Sequence, residues 1–186
     1  MGNHIKRLKK EESILVVVDL QERLIPAMRE GEKAVAQAAK LIRGCEALGV
    51  PVLTTQQYTK GLGETVADVK EAYADFSYIE KSAFSTMGEP AFVAALEKSK
   101  RKSVLLCGVE THVCVLQSAL DLLAAGYDVF LATDAVSSRK ETDERPGKKR
   151  LLQAGVVPTS VESALFELLD NDSRSDTFKT ISKLIK

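Results

Sequence analysis

Three side chains far apart in the sequence are of the right types to do covalent chemistry together: Asp19, Lys81 and Cys114. Cys114 follows an unbroken apolar run, residues 104–107, which predicts a strand buried on both faces. Gly108 breaks that run, and from Val113 the spacing changes to Val113, Leu116, Leu120 and Leu123, a helical stripe. Cys114 is thereby expected close to a helix N-terminus. Unpaired N–H groups and the helix dipole favour an anion there, so the spacing predicts a thiol that loses its proton readily. Asp19 closes the β-branched run 13–20, and Lys81 follows the short segment 78–80. A carboxylate, an ammonium and a thiol at three strand ends form a coherent set. Cys114 would be the nucleophile, and Asp19 would take its proton and return it to the leaving group. Lys81 would stabilise both anions. Each residue also has an ordinary alternative: Asp19 as a helix cap, Lys81 as a solvated loop lysine, Cys114 as one more buried cysteine.

The elements that must position these residues alternate. Strands are predicted at 13–20, 51–55, 78–80, 104–107, 127–133 and 156–157, with helices at 30–48, 89–99, from 113 to Gly126, up to Ala154, 161–169 and 177–185. Residues 56–71, with Gly61 and Gly63, read as a long loop with room for one helical turn. Residues 137–147 read as a polar loop because of Pro146-Gly147. This order predicts an α/β protein with three α/β/α layers and a mainly parallel, doubly wound sheet of about six strands. In such a sheet ligands bind beyond the carboxyl ends of the strands. Asp19, Lys81, the stretch 110–114 and Asp134 are all expected there, with Asp134 and Arg139 pairing to hold one strand end.

The 186 residues are the length of one domain, with 1–12 as a lead-in and 160–186 as C-terminal helices. The 26 basic and 26 acidic residues cancel, which gives no electrostatic reason to expect nucleic acid. The basic stretch 6–10 is followed at once by Glu11 and Glu12, so it reads as a solvated lead-in. No apolar run approaches a membrane span, and no signal-peptide core follows the basic residues, so a cytoplasmic protein is expected. The 3 cysteines suit neither a disulfide framework nor a zinc knuckle. Cys45 and Cys107 are expected to be buried and inert, leaving Cys114 as a free thiol in a reducing compartment.

The chain resembles the isochorismatase-like cysteine hydrolases. The resemblance rests on VVVDLQ at 16–21, EKSAFS at 80–85 and CGVETHVCVLQSAL at 107–120. It continues through GYDV at 126–129 and DAVSSR at 134–139 to the tail 178–186. The tail and QYTKGLG at 57–63 look most like the isochorismatase domain-containing branch. The resemblance implies the isochorismatase-like hydrolase fold, Asp19, Lys81 and Cys114 as a catalytic triad, and a homo-oligomer. It implies an oxyanion hole from the backbone N–H groups of Glu110 and Cys114, with a cis peptide at Val109–Glu110 and an incidental Glu110 side chain. Gln21, Leu24, Tyr58 and Phe84 are candidates for a small substrate pocket, though Leu24, Tyr58 and Phe84 also fit plain core. Gln21 alternatively hydrogen-bonds the neighbourhood of Asp19. The nicotinamidase branch adds a metal held by Asp and two His. Here only His4 and His112 exist and 56–63 contains neither His nor Asp, so no metal and no cofactor are expected. His112 reads as a surface or interface residue.

These expectations describe a cysteine hydrolase of a small amide or related acyl compound, with no nucleic-acid or membrane partner. Two rivals remain at this level: a catalytically silent binding or scaffold protein, and a redox-active thiol protein on the same fold.

Overall fold

The computed structural model describes residues 5–170 and 175–186. His4 and most of the link before the last helix lie outside the described residues. Six parallel strands form one sheet in the order β3-β2-β1-β4-β5-β6. They are β1 (Ser13–Val18), β2 (Val52–Gln57), β3 (Ile79–Lys81), β4 (Ser103–Val109), β5 (Asp128–Ser137) and β6 (Val157–Thr159). The helices are α1 (Gly31–Ala47), α2 (Thr59–Leu62), α3 (Ala67–Lys70), α4 (Pro90–Ser99), α5 (Leu116–Ala124), α6 (Glu141–Gln153), α7 (Val161–Leu169) and α8 (Asp176–Ile185). The expected three-layer, doubly wound architecture is what the chain adopts.

Strand side chains alternate between two cores, as the period of two requires. Leu15 and Val17 of β1, with Leu105 and Cys107 of β4, meet α1, α7 and α8 on one face. Ile14, Val16 and Val18, with Val104 and Leu106, meet α4, α5 and α6 on the other. This two-sided burial explains why the strands read as unbroken apolar runs. The winding reverses between β1 and β4, so the crevice for ligands opens beyond Val18 and Val109.

Several local expectations are corrected. Gly108 does not end β4, which continues to Val109. It adopts φ +115°, and a Cβ there would stand 2.0 Å from Val18 O, so the two central strands touch at a point only glycine allows. The polar loop at 137–147 is instead largely helix: α6 starts at Glu141 and contains Pro146. Glu141, Asp143 and Glu144 crowd its first turn, where the dipole favours them, and Glu144 pairs with Lys148 one turn on at 2.6 Å. Gly147 serves packing rather than a turn, because a Cβ there would meet the Cα of His112 at 3.1 Å. Residues 56–71 hold two short helices, α2 and α3, where one turn was expected.

Asp134 does not stand at a strand end either. Strand β5 runs on to Ser137, with an irregularity: Leu106 faces Leu131, yet Gly108 faces Val136. Inside this bulge Asp134 Oδ1 accepts the Val161 N–H at the start of α7, 2.9 Å away. Arg139 therefore pairs elsewhere, with Glu110 at 3.1 Å.

Gly108→Ala should cost about 3 kcal/mol or more, by combining left-handed strain with backbone collision. Gly126→Ala, at φ +90° with nothing within 4 Å of the added Cβ, should cost about 1 kcal/mol. Urea unfolding of both variants checks this, and equal losses would refute the close-contact account.

Candidate active site

Beyond β1 the chain turns sharply at Asp19, whose φ of +52° is one that Asp tolerates better than most residues. Its carboxylate is fully buried. Oδ1 accepts the Thr55 hydroxyl at 2.7 Å, and Oδ2 accepts Lys81 Nζ at 2.7 Å. Lys81 ends β3, two strands away from β1, so its side chain must reach across β2. Strand β2 supplies polar groups for this crossing: Thr55 beside Val18, and Gln57 beside Lys81.

Lys81 is only 1% exposed. Besides Asp19, its ammonium donates to Gln57 Oε1 at 2.6 Å, Phe84 O at 3.1 Å and Ala83 O at 3.2 Å. Three ammonium hydrogens thus serve four oxygens, which is the satisfaction a charge needs at this depth. Thr55 and Gln57 were missed in the sequence. The signal was present as polar residues closing an apolar strand, but its meaning depends on where Lys81 arrives.

Cys114 lies in a wide, π-type turn, Thr111–Val115, that leads into α5. Glu110 O accepts the N–H groups of both Val113 (3.0 Å) and Val115 (3.2 Å), passing over the Cys114 N–H between them. The Asp19 carboxylate and the Lys81 ammonium both act electrostatically on the Cys114 thiol. Asp19 and Lys81 are thus joined in one ion pair, and Cys114, in the turn after β4, lies within reach of both charges. The expectation of a readily ionised thiol is corrected, however. Burial, reinforced by the Asp19 charge, pushes the Cys114 thiol up to about 12, outweighing the opposing pull of Lys81. Cys114 is 7% exposed, and desolvation at that depth overrides the helix terminus. Burial raises Cys45 and Cys107 as well, as expected of buried, inert thiols.

The Val109–Glu110 peptide is cis. The Glu110 side chain has a partner of its own: its Oε2 accepts both the backbone N–H and the Nε of Arg139, each at 3.1 Å. His112 is half-buried, with Nδ1 and the Ser138 hydroxyl 2.9 Å apart.

The candidate wall residues divide into two pairs. Gln21 is fully buried, and its amide is spent on backbone, donating to Gln57 O and Gly63 O and accepting the Gln57 N–H. It thereby anchors the loop after β2, in the neighbourhood of Asp19. Leu24 packs against the core on the α1 face. Tyr58 and Phe84 are each 55% exposed and hang from Lys81 by their backbones, Tyr58 N–H donating to Lys81 O and Phe84 O accepting its ammonium. Among the described residues no group of three or more His, Cys, Asp and Glu could hold a metal ion.

With this geometry in place, comparison with known proteins becomes informative. Residues 13–163 match the isochorismatase domain. The chain belongs to the isochorismatase family. It is 43% identical over 190 residues to the secreted isochorismatase effector Isc1 of Phytophthora sojae, covering 97% of this chain and 87% of that one. It is 38% identical over 181 residues to isochorismatase domain-containing protein 2A of Mus musculus, covering 97% and 85%. Among solved structures, the MAR1 ribonuclease of Caenorhabditis elegans superposes with a TM-score of 0.90 at 38% identity, covering 97% and 92%. The YcaC product of Escherichia coli, described as an octameric hydrolase of unknown specificity, gives a TM-score of 0.90 at 26% identity, covering 98% and 92%. The likeness to isochorismatase domain-containing proteins read from the motifs is thus confirmed. No helix among the described residues is long and apolar enough to cross a membrane.

The raised thiol gives a signed expectation. Iodoacetamide labelling of Cys114 should rise about tenfold per pH unit between pH 7 and 9, because only the thiolate reacts. Asp19→Asn removes the negative charge that raises the thiol, so labelling at pH 8 should become faster. Mass-spectrometric rates check both; a plateau reached below pH 7 would show a thiolate already present at rest.

Proposed function

We propose that this chain is a cysteine hydrolase that cleaves a small amide, or a related acyl compound, through a thioester on Cys114. The observation that carries the reading is the buried Asp19–Lys81 ion pair, 2.7 Å between the charged atoms, whose two charges both act on the Cys114 thiol. A thiol raised to about 12 is protonated at neutral pH, so attack and proton removal must be coupled. As Sγ bonds to the substrate carbonyl carbon, the thiol proton passes to Asp19. The oxyanion is received by the N–H groups of Glu110 and Cys114. The C–N bond then breaks, and Asp19 hands its proton to the departing nitrogen. Water attacks the thioester, giving a proton to Asp19, which returns it to sulfur as the acid leaves. Lys81 balances the negative charge as it moves between sulfur, Asp19 and the substrate.

Tyr58 and Phe84, half-exposed beside Lys81, are the apolar walls that would face the substrate. Gln21 would hold the loop that carries Tyr58, and Leu24 would contribute through its packing on the core of the α1 face. The reaction needs neither metal nor cofactor. The octameric relative supports a homo-oligomer for this chain too. A reduced Cys114 suits the cytoplasm, while a secreted relative shows that the family is also exported.

A panel of small amides screened for ammonia release tests the reading. A turned-over amide should lose all covalent turnover with Cys114→Ala. It should lose about 100-fold or more with Asp19→Asn, even as that variant labels faster with iodoacetamide. Chelator should leave the rate unchanged. Turnover that survives Cys114→Ala would end the thioester reading. Light scattering at micromolar concentration should give a multiple of the 20.3 kDa chain mass; a monomer mass would defeat the oligomer proposal.

A further inference from the structure

Glu110, Thr111 and His112, consecutive residues leading to the nucleophile, each use a side chain to bond one of Ser137, Ser138 and Arg139. Glu110 Oε2 accepts Arg139 N–H and Nε, both at 3.1 Å. Thr111 Oγ1 donates to Ser137 O at 3.1 Å, and His112 Nδ1 lies 2.9 Å from Ser138 Oγ. The same segment is gripped from its far side: Ser138 O accepts the Arg29 N–H, and Ser137 Oγ the Glu30 N–H at 3.1 Å. Behind the turn, α6 approaches so closely that Gly147 leaves no room for a Cβ against His112. Thr111, Ser137 and Ser138 are fully buried, so these bonds act away from water, while the Arg139 side chain is 61% exposed.

The chemistry does not otherwise call for these contacts. None of the clasp residues' side chains belongs to the set formed by Asp19, Lys81 and Cys114. What they share is the backbone between β4 and Cys114, which carries both proposed oxyanion donors. An oxyanion hole works only if its donors are already aimed at the point where charge develops, and displacement by about 1 Å can cost about 100-fold. We propose that this side-chain clasp, made by Glu110, Thr111 and His112 on one side and 137–139 on the other, is the positioning device of the oxyanion hole. Thr111 and Arg139 are its positioning residues. The inference rests on the thioester reading above.

Two reagents separate the hole from the nucleophile. With p-nitrophenyl acetate, Sγ attacks the carbonyl carbon, its proton goes to Asp19, the carbonyl oxygen becomes an oxyanion, and p-nitrophenolate leaves to give the acetyl thioester. With iodoacetamide, Sγ displaces iodide from a saturated carbon and no oxyanion forms. Thr111→Val should slow acetylation of Cys114 about 10- to 100-fold and change alkylation less than about twofold, and Thr111→Ser should restore acetylation. Arg139→Ala, at a position whose side chain is largely exposed, should slow acetylation with alkylation again unchanged. Acetylation that is untouched in both variants overturns the clasp. So does a parallel fall in acetylation and alkylation, which would place the effect on the thiol. A wild-type protein that is alkylated at Cys114 but never acetylated removes the thioester reading itself, and the clasp's role falls with it.

Discussion

Everything at the carboxyl edge of the sheet is arranged around one buried ion pair. Two opposite charges without water are tolerated only when their remaining hydrogen-bonding capacity is met. Asp19 and Lys81 meet it with Thr55, Gln57 and two backbone carbonyls. That demand dictates much of the local structure. The turn at Asp19 bends into the left-handed region, the segment after β3 doubles back so that Ala83 and Phe84 offer their carbonyls, and β2 ends in polar residues although β1 beside it ends in Val18. The pair also modulates Cys114. Burial is the larger cause of its raised thiol, and the Asp19 charge adds to it against the pull of Lys81.

The strands and their order were legible because burial on both faces leaves unbroken apolar runs, and because alternation with helices permits few topologies. Asp19, Lys81 and Cys114 were legible as types at strand ends. The acidity of Cys114 was not, since the sequence shows a helix start but not the depth at which it lies, and depth decided the sign. Pro146-Gly147 misled for a similar reason. Both residues signal a turn locally, yet the close approach of α6 to His112 makes glycine the residue that fits inside a helix. Thr55, Gln57, and the pairing of Glu110 with Arg139 in place of Asp134, depend on which strand lies beside which and in what register. No local pattern carries that information.

That register holds a further consequence. Between Leu106–Leu131 and Gly108–Val136, residues 132–135 of β5 stand opposite Cys107 alone. Had the lower pairing continued unbroken, Val109 would face Asp134, and an acid would sit beside the turn that leads to Cys114 in place of Ser137. The bulge instead sends Asp134 off to α7. One strand thus carries two independent rulers, a lower one that fixes the core and an upper one that chooses which residues the site sees. A change in the length of 132–135 would exchange the set presented to Glu110, Thr111 and His112. The same four residues also hold the fold, since Ala132 and Ala135 are buried in the core, Ala132 pairs with Thr159 and Asp134 bonds the start of α7, so the two rulers can be reset against each other only where that packing is kept.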